Sequence, residues 1–173
     1  MDLNLVGLNH KTAPIEIREK FVFSHDMLSH VLKDLKLKTG AEALILSTCN
    51  RTEIYFQVKD PNEIYQWLAT FNKIKFTELK KYLYTFSNQD CYVHASKVAS
   101  GLDSMLIGET QIFGQMKQAS QIAHLSGVQG KYISTFFQDV FKTAKEVRTK
   151  TQIGSSATTI ASCALAIAKK IFG

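Results

Sequence analysis

An α+β chain, in which a ferredoxin-like βαββαβ layer is followed by a helical subdomain, is what the order of periodicities in this sequence predicts. Three observations carry the prediction. Four short runs, 3–8, 43–46, 54–58 and 82–86, are rich in apolar, β-branched and aromatic residues and read as strands. The segments after the first and third runs repeat apolar residues at helical spacing, while only a few polar residues separate the middle two, which gives the order β-α-β-β-α-β of a split βαβ layer. Beyond residue 86 the pattern is helical throughout.

Each element has its own local reason. After the first strand, Asn9-His10-Lys11-Thr12-Ala13-Pro14 turns the chain into a helix, with Pro14 suited to a first helical position. Ser24 or Asp26 can cap a helix to about Lys36 that places Met27, Leu28, Val31, Leu32 and Leu35 on one face, and Gly40 closes it. Strands two and three flank Cys49. Pro61 then opens a helix carrying Ile64, Trp67, Leu68 and Phe71 on one side. Ser87 with Asp90 has the form of a capping box and starts a helix on which Cys91, Ala95, Val98 and Leu102 share a face. The glycine-punctuated segment 101–108 leads into a helix over 109–124. The next helix, 132–148, aligns Ile133, Phe136, Phe137, Val140, Ala144 and Val147 and sets Lys142, Lys145 and Arg148 three apart on another side. That basic ridge is either a solvated face or an RNA-facing surface. A last helix is expected over 157–172, which divides the chain into a larger unit, 1–156, and a terminal helical segment, 157–173.

Composition narrows the class of function. With 173 residues and 45% hydrophobic content, the chain can bury a sizeable core. No apolar stretch is long enough to span a bilayer and the N-terminus lacks the form of a secretory signal, so a cytoplasmic protein is expected. Three cysteines, Cys49, Cys91 and Cys163, are odd in number and far apart, which argues against a disulfide framework or a metal site. The formal charge of +6 and pI near 9.2 permit an acidic partner such as nucleic acid.

Chemistry concentrates at Ser47-Thr48-Cys49-Asn50-Arg51-Thr52-Glu53. The thiol sits at the tip of a tight strand-to-strand connection between polar residues, with the Arg51 cation two positions on. Because the thiolate is the nucleophile, an exposed, electropositive setting suits attack on a carbonyl carbon. The alternative is a small buried hydrophobe. Arg51 can bind a carboxylate through two parallel hydrogen bonds, or be an ordinary surface arginine.

Three motifs together resemble the N-terminal part of the glutamyl-tRNA reductase family. Leu8-Asn9-His10-Lys11-Thr12-Ala13-Pro14 with Arg18-Glu19 is similar to its opening signature, 46–53 to its nucleophile motif, and Val98-Ala99-Ser100-Gly101-Leu102-Asp103-Ser104-Met105 with Gly108-Glu109-Thr110-Gln111-Ile112 to its third block. Thr110 stands where many members have proline, and Phe113 where a smaller aliphatic is usual. The resemblance implies that Cys49 attacks the ester of glutamyl-tRNA to give a glutamyl thioester, which NADPH reduces to glutamate-1-semialdehyde in tetrapyrrole synthesis. It also implies a glutamate pocket formed by Thr48, Cys49, Asn50, Arg51, Ser104, Glu109, Thr110, Gln111 and Gln115, with His94 assisting proton transfer or orienting the ester. Gln111 and Gln115, four apart, share a helix face, and Glu109 can receive a substrate ammonium. His94 lies beside an apolar face, so a half-buried structural histidine is the competing reading.

No GxGxxG occurs among the nine glycines. The resemblance implies that 1–156 is the catalytic unit and 157–173 the start of a long spinal helix leading to further domains that bind NADPH and form a homodimer, with this chain a fragment ending before them. Two other classes remain: a thiol-dependent acyl hydrolase, and a non-catalytic RNA-binding module built on the sheet. The second leaves Cys49 idle, and Glu53-Ile54-Tyr55-Phe56-Gln57-Val58 lacks the basic-glycine-aromatic pattern of RNA-binding sheets.

Overall fold

The computed structural model describes residues 2–154, 165 and 167–171. Most of the expected final helix, and Cys163 with it, lies outside the described residues; 165 and 167–171 are helical.

Strands β1 (Asn4–Asn9), β2 (Glu42–Ser47), β3 (Arg51–Gln57) and β4 (Tyr84–Ser87) form one sheet in the order β2-β3-β1-β4, with every neighbouring pair antiparallel. Its register places Leu44, Tyr55, Leu5 and Phe86 on one face and Ile45, Ile54, Val6 and Thr85 on the other, because alternate residues of a strand point to opposite sides. Helices α2 (His25–Thr39) and α3 (Pro61–Phe71) lie on the second side, where Phe56 meets Tyr65 of α3 edge-on at 6.4 Å. Helices α5 (Asn88–Ser100), α6 (Gln111–Leu125) and α7 (Lys131–Lys150) belong to the first, where Tyr55 packs against Phe137 of α7 at 5.0 Å. A sheet covered on both faces reads in sequence as continuous apolar runs rather than alternation, and all seven residues of β3 are buried.

Local differences from the sequence reading have identifiable causes. The first helix is a single turn, α1 (Ile15–Arg18), continued as a 3₁₀ turn (Glu19–Phe21), and Pro14 is its extended N-cap rather than its first residue. Met27 is half exposed, on the outer flank of α2, whereas Leu28, Val31, Leu32 and Leu35 are buried. Ser87 does not form the expected capping box: its hydroxyl donates to Asn4 Oδ1 at 2.7 Å and ties β4 to β1. Leu102 leaves the α5 face because the helix ends at Ser100, where Gly101 adopts a left-handed φ of 81°. Helix α4 (Phe76–Leu79), a single turn, is too short to show a period.

Candidate functional site

The turn between β2 and β3 displays Cys49 because Thr48 ties the backbone around it. Thr48 Oγ1 accepts from the Asn50 and Arg51 amides at 3.2 and 3.1 Å, and the Thr48 amide donates to the Arg51 carbonyl at 2.8 Å. A hydroxyl that satisfies the amides of a tight turn substitutes for the missing ladder bonds. Two outside contacts brace the tip: the His10 amide donates to the Asn50 carbonyl at 3.0 Å, and Arg18 Nη1 makes a long 3.5 Å contact to the Cys49 carbonyl. The Cys49 side chain is exposed, whereas Cys91 is buried in α5. Burial, with the Glu53 charge adding to it, pushes the Cys91 thiol up to about 12, so it is inert at neutral pH.

Beneath the tip lies a buried charge cluster. Arg51, Glu53 and Tyr55 alternate along β3 and so share one face. Arg51 Nη1 donates to Glu53 Oε1 at 2.6 Å, with side chains only 2% and 0% exposed. Tyr84 and His94 Nε2 also reach Oε1, at 2.6 and 2.7 Å, and the Tyr55 hydroxyl donates to Oε2 at 2.6 Å. An ionised carboxylate only accepts, so Nε2 of His94 carries the proton in this contact. Burial alone would raise the Glu53 carboxyl; the Arg51 charge and the His94 and Tyr55 hydrogen bonds outweigh it and hold the group at about 2. Gly7 makes room, since a Cβ there would meet Glu53 Cγ at 2.8 Å.

Arg51 is thus engaged from two sides. Its Nη2 donates to the carbonyl and the carboxylate of Asp103, and Lys11 pairs with the same carboxylate. Burial would raise the Asp103 carboxyl, but Lys11 and Arg51 hold it below its ordinary value. The same surroundings lower the His10 pKa: burial contributes most, then the Arg51 and Lys11 charges, against a smaller opposing effect of Asp103.

A cavity of about 50 Å³ opens beside the thiol. Its walls are Thr48, Cys49, Asn50 and Arg51 from the hairpin, Ser104, Met105 and Glu109 from the segment after α5, and Gln111, Ile112 and Gln115 from α6. Eight of the residues named from sequence therefore meet at one place. Thr110 and His94 are not among its walls: Thr110 is exposed at the start of α6, and His94, 11% exposed, stacks on Phe86 at 4.7 Å with its Nε2 on Glu53. Sequence reasoning missed Glu53, Asp103, Lys11 and Tyr84 as members of the site. Glu53 carried a signal, an acid two residues after an arginine within a strand, which puts both on one face. Lys11 and Asp103 fall within two of the family-like motifs, but they are 92 residues apart and nothing local shows that they meet.

Comparisons with known proteins identify the family. Residues 6–151 match the family described as glutamyl-tRNAGlu reductase, N-terminal domain. The chain is 46% identical over 173 residues to the glutamyl-tRNA reductase of Thiobacillus denitrificans, covering 99% of this chain and 42% of that protein. It is 45% identical to that of Nitrosomonas europaea, covering 100% and 42%. Among solved structures, the glutamyl-tRNA reductase from Methanopyrus kandleri superimposes with a TM-score of 0.74 at 27% identity, over 97% of this chain and 39% of that one. The chain spans about two fifths of the length of the relatives it matches. On these matches, it belongs to the family of glutamyl-tRNA reductase N-terminal domains.

Proposed function

We propose that this chain is the part of a glutamyl-tRNA reductase that takes glutamate from glutamyl-tRNA onto Cys49. One observation carries the reading: an exposed thiol at a braced hairpin tip forms one wall of a cavity whose other walls are mostly polar. The sulfur attacks the ester carbonyl carbon, a C–S bond forms, the bond to the ribose oxygen breaks, and that oxygen takes a proton. The products are a glutamyl thioester and free tRNA. Glu109, Gln111 and Gln115 supply acceptors for the ammonium, and Arg51 faces the substrate carboxylate. Because Arg51 also holds Asp103, a bound carboxylate shares the guanidinium with Asp103 or displaces it. The cavity admits only a few water molecules, so a glutamyl group enters as the 104–109 wall shifts. His94 acts in this reading as a positioning residue, through Glu53 to Arg51.

Reduction of the thioester calls for a hydride donor, and NADPH is the one the family resemblance implies. The described residues do not fit a dinucleotide: their sheet is antiparallel throughout, and no glycine-rich turn joins a strand to a helix. The reading on this chain therefore ends at the thioester, with hydride transfer and dimer formation assigned to the whole protein. It also takes the sheet and its helices as a ferredoxin-like layer, sets the domain limit at 156, and places the reaction in the cytoplasm, where aminoacylated tRNA is used. No described helix is long and apolar enough to cross a membrane.

Mass spectrometry of the chain after mixing with glutamyl-tRNA tests the assignment. The expected result is a glutamyl adduct on the Cys49 peptide that Cys49→Ser abolishes, because an alkoxide forms far less readily than a thiolate near neutral pH. Rapid release of free glutamate would identify a hydrolase instead. Binding of tRNA without any adduct would leave a non-catalytic module.

A further inference from the structure

A hollow larger than the Cys49 cavity lies elsewhere. It is a trough of about 530 Å³ along the α6–α7 seam, bordered by Lys117, Lys142, Lys145 and Lys150, with Phe141 among its lining residues and Glu146 as the only acid. Lys117, Gln138 and Phe141 also border an adjoining hollow of about 340 Å³ that runs on past Ser120, His124 and Ser134. From Ser134 to Lys150 the α7 side extends roughly 24 Å at 1.5 Å per residue.

Charge is concentrated here. Four lysines less one glutamate leave +3 along this seam, half of the +6 of the whole chain. Glu146 is already paired with Lys150 at 3.1 Å, while Lys117, Lys142 and Lys145 make no ion pair among the described residues. Lys117 Nζ instead stands 4.8 Å over the Phe113 ring, which packs edge-on against Phe141 at 5.7 Å. The lysines thus border an open, shallow trough that Phe141 also lines. The position also matters. Gln111 and Gln115 face the Cys49 cavity, and Lys117, two residues on and so turned about 200°, faces the trough. The two lie on opposite flanks of α6, roughly one helix diameter of 10–12 Å apart.

We infer that the α6–α7 trough holds the phosphate backbone of the RNA whose acylated end reaches Cys49. The inference rests on the acyl-transfer reading for the choice of RNA among polyanions; the groove, its length and its unpaired cations stand without it. Phosphates along the seam place the ester end across α6, at the thiol. The lysines contribute affinity and alignment with little base preference, as cations on phosphates do.

Binding of unacylated glutamate tRNA to the whole chain, followed by fluorescence anisotropy across a KCl series, tests this. Lys142→Gln with Lys145→Gln is expected to weaken binding at least tenfold at 0.1 M salt and to flatten the log–log salt slope by about 1 for each phosphate left without its cation. Lys142→Arg with Lys145→Arg should keep both values. Lys80→Gln with Lys81→Gln removes the same charge from the exposed end of α4, and urea midpoints for all variants verify folding. An unchanged slope, an equal loss in the Lys80 and Lys81 variant, or tighter binding of poly-glutamate than of tRNA would overturn the inference. Loading of Cys49 separates the two claims. If the wild-type chain is never acylated but the trough variants still lose tRNA, the trough stands and the acyl-transfer reading fails. Full acylation of the trough variants at limiting glutamyl-tRNA removes the trough.

Discussion

Replacing Glu53 by glutamine isolates what the buried cluster contributes. In the folded chain four donors converge on its two carboxylate oxygens, three of them on Oε1. A glutamine that keeps its oxygen at the Oε1 site retains those three and presents its amide only to the Tyr55 hydroxyl, which can rotate to accept. The hydrogen-bond loss is therefore small, and the charge loss dominates: Arg51, 2% exposed, is left with Asp103 as its sole carboxylate. Removing one partner of a buried ion pair costs about 3–5 kcal/mol. For a chain of this size that corresponds to a fall in Tm of roughly 6–20 °C, at about 2–4 °C per kcal/mol. Urea and thermal unfolding at neutral pH measure it. The acid limb adds a sign. A carboxyl held at about 2, below its ordinary 4.5, stabilises the fold fully above 4.5, and that contribution is lost as the pH falls from there through 2. The gap between wild type and Glu53→Gln should therefore close over that window. Adding Arg51→Met to Glu53→Gln should recover part of the loss, since the buried guanidinium is then removed while Asp103 keeps Lys11 as its partner. A loss below about 1 kcal/mol at neutral pH, or a gap that does not narrow in acid, would refute the claim that this pair anchors the site.

Two further outcomes follow from the same geometry. Iodoacetamide should label Cys49 well ahead of Cys91 near neutral pH, since one thiol is exposed and the other is buried and pushed up to about 12; peptide mapping reads the order, and earlier labelling of Cys91 would contradict the burial. Gly101→Ala should destabilise the chain by roughly 1–3 kcal/mol, because the position has a φ of 81° and a Cβ would stand 2.9 Å from the Glu109 carbonyl oxygen. Glu109 borders the Cys49 cavity, so acylation by glutamyl-tRNA should slow in the refolded variant, and an unchanged rate would show that the segment after α5 does not position the cavity wall.

The sequence by itself determined the order of the main elements and the hairpin that carries Cys49, because strand and helix periods are local. Most of the cavity wall was legible only through the resemblance of three motifs to one family; periodicity added no more than that Gln111 and Gln115 share a helix face. Tertiary structure alone decided what Arg51 does. A short motif shows a cation two residues from a thiol, but only the packing of α5, α6 and α7 over the sheet buries that cation, brings Asp103 and His94 to it and its partner, and turns an apparent surface arginine into the centre of an ion-pair cluster. It also decided which hydroxyls serve as caps and which as sheet ties, as at Ser87, and which lysines line a groove rather than a free helix face. The physical reason is the range of the forces involved. Backbone propensity and side-chain periodicity act over a few residues, whereas desolvation and charge pairing depend on which distant segments exclude water from the same volume.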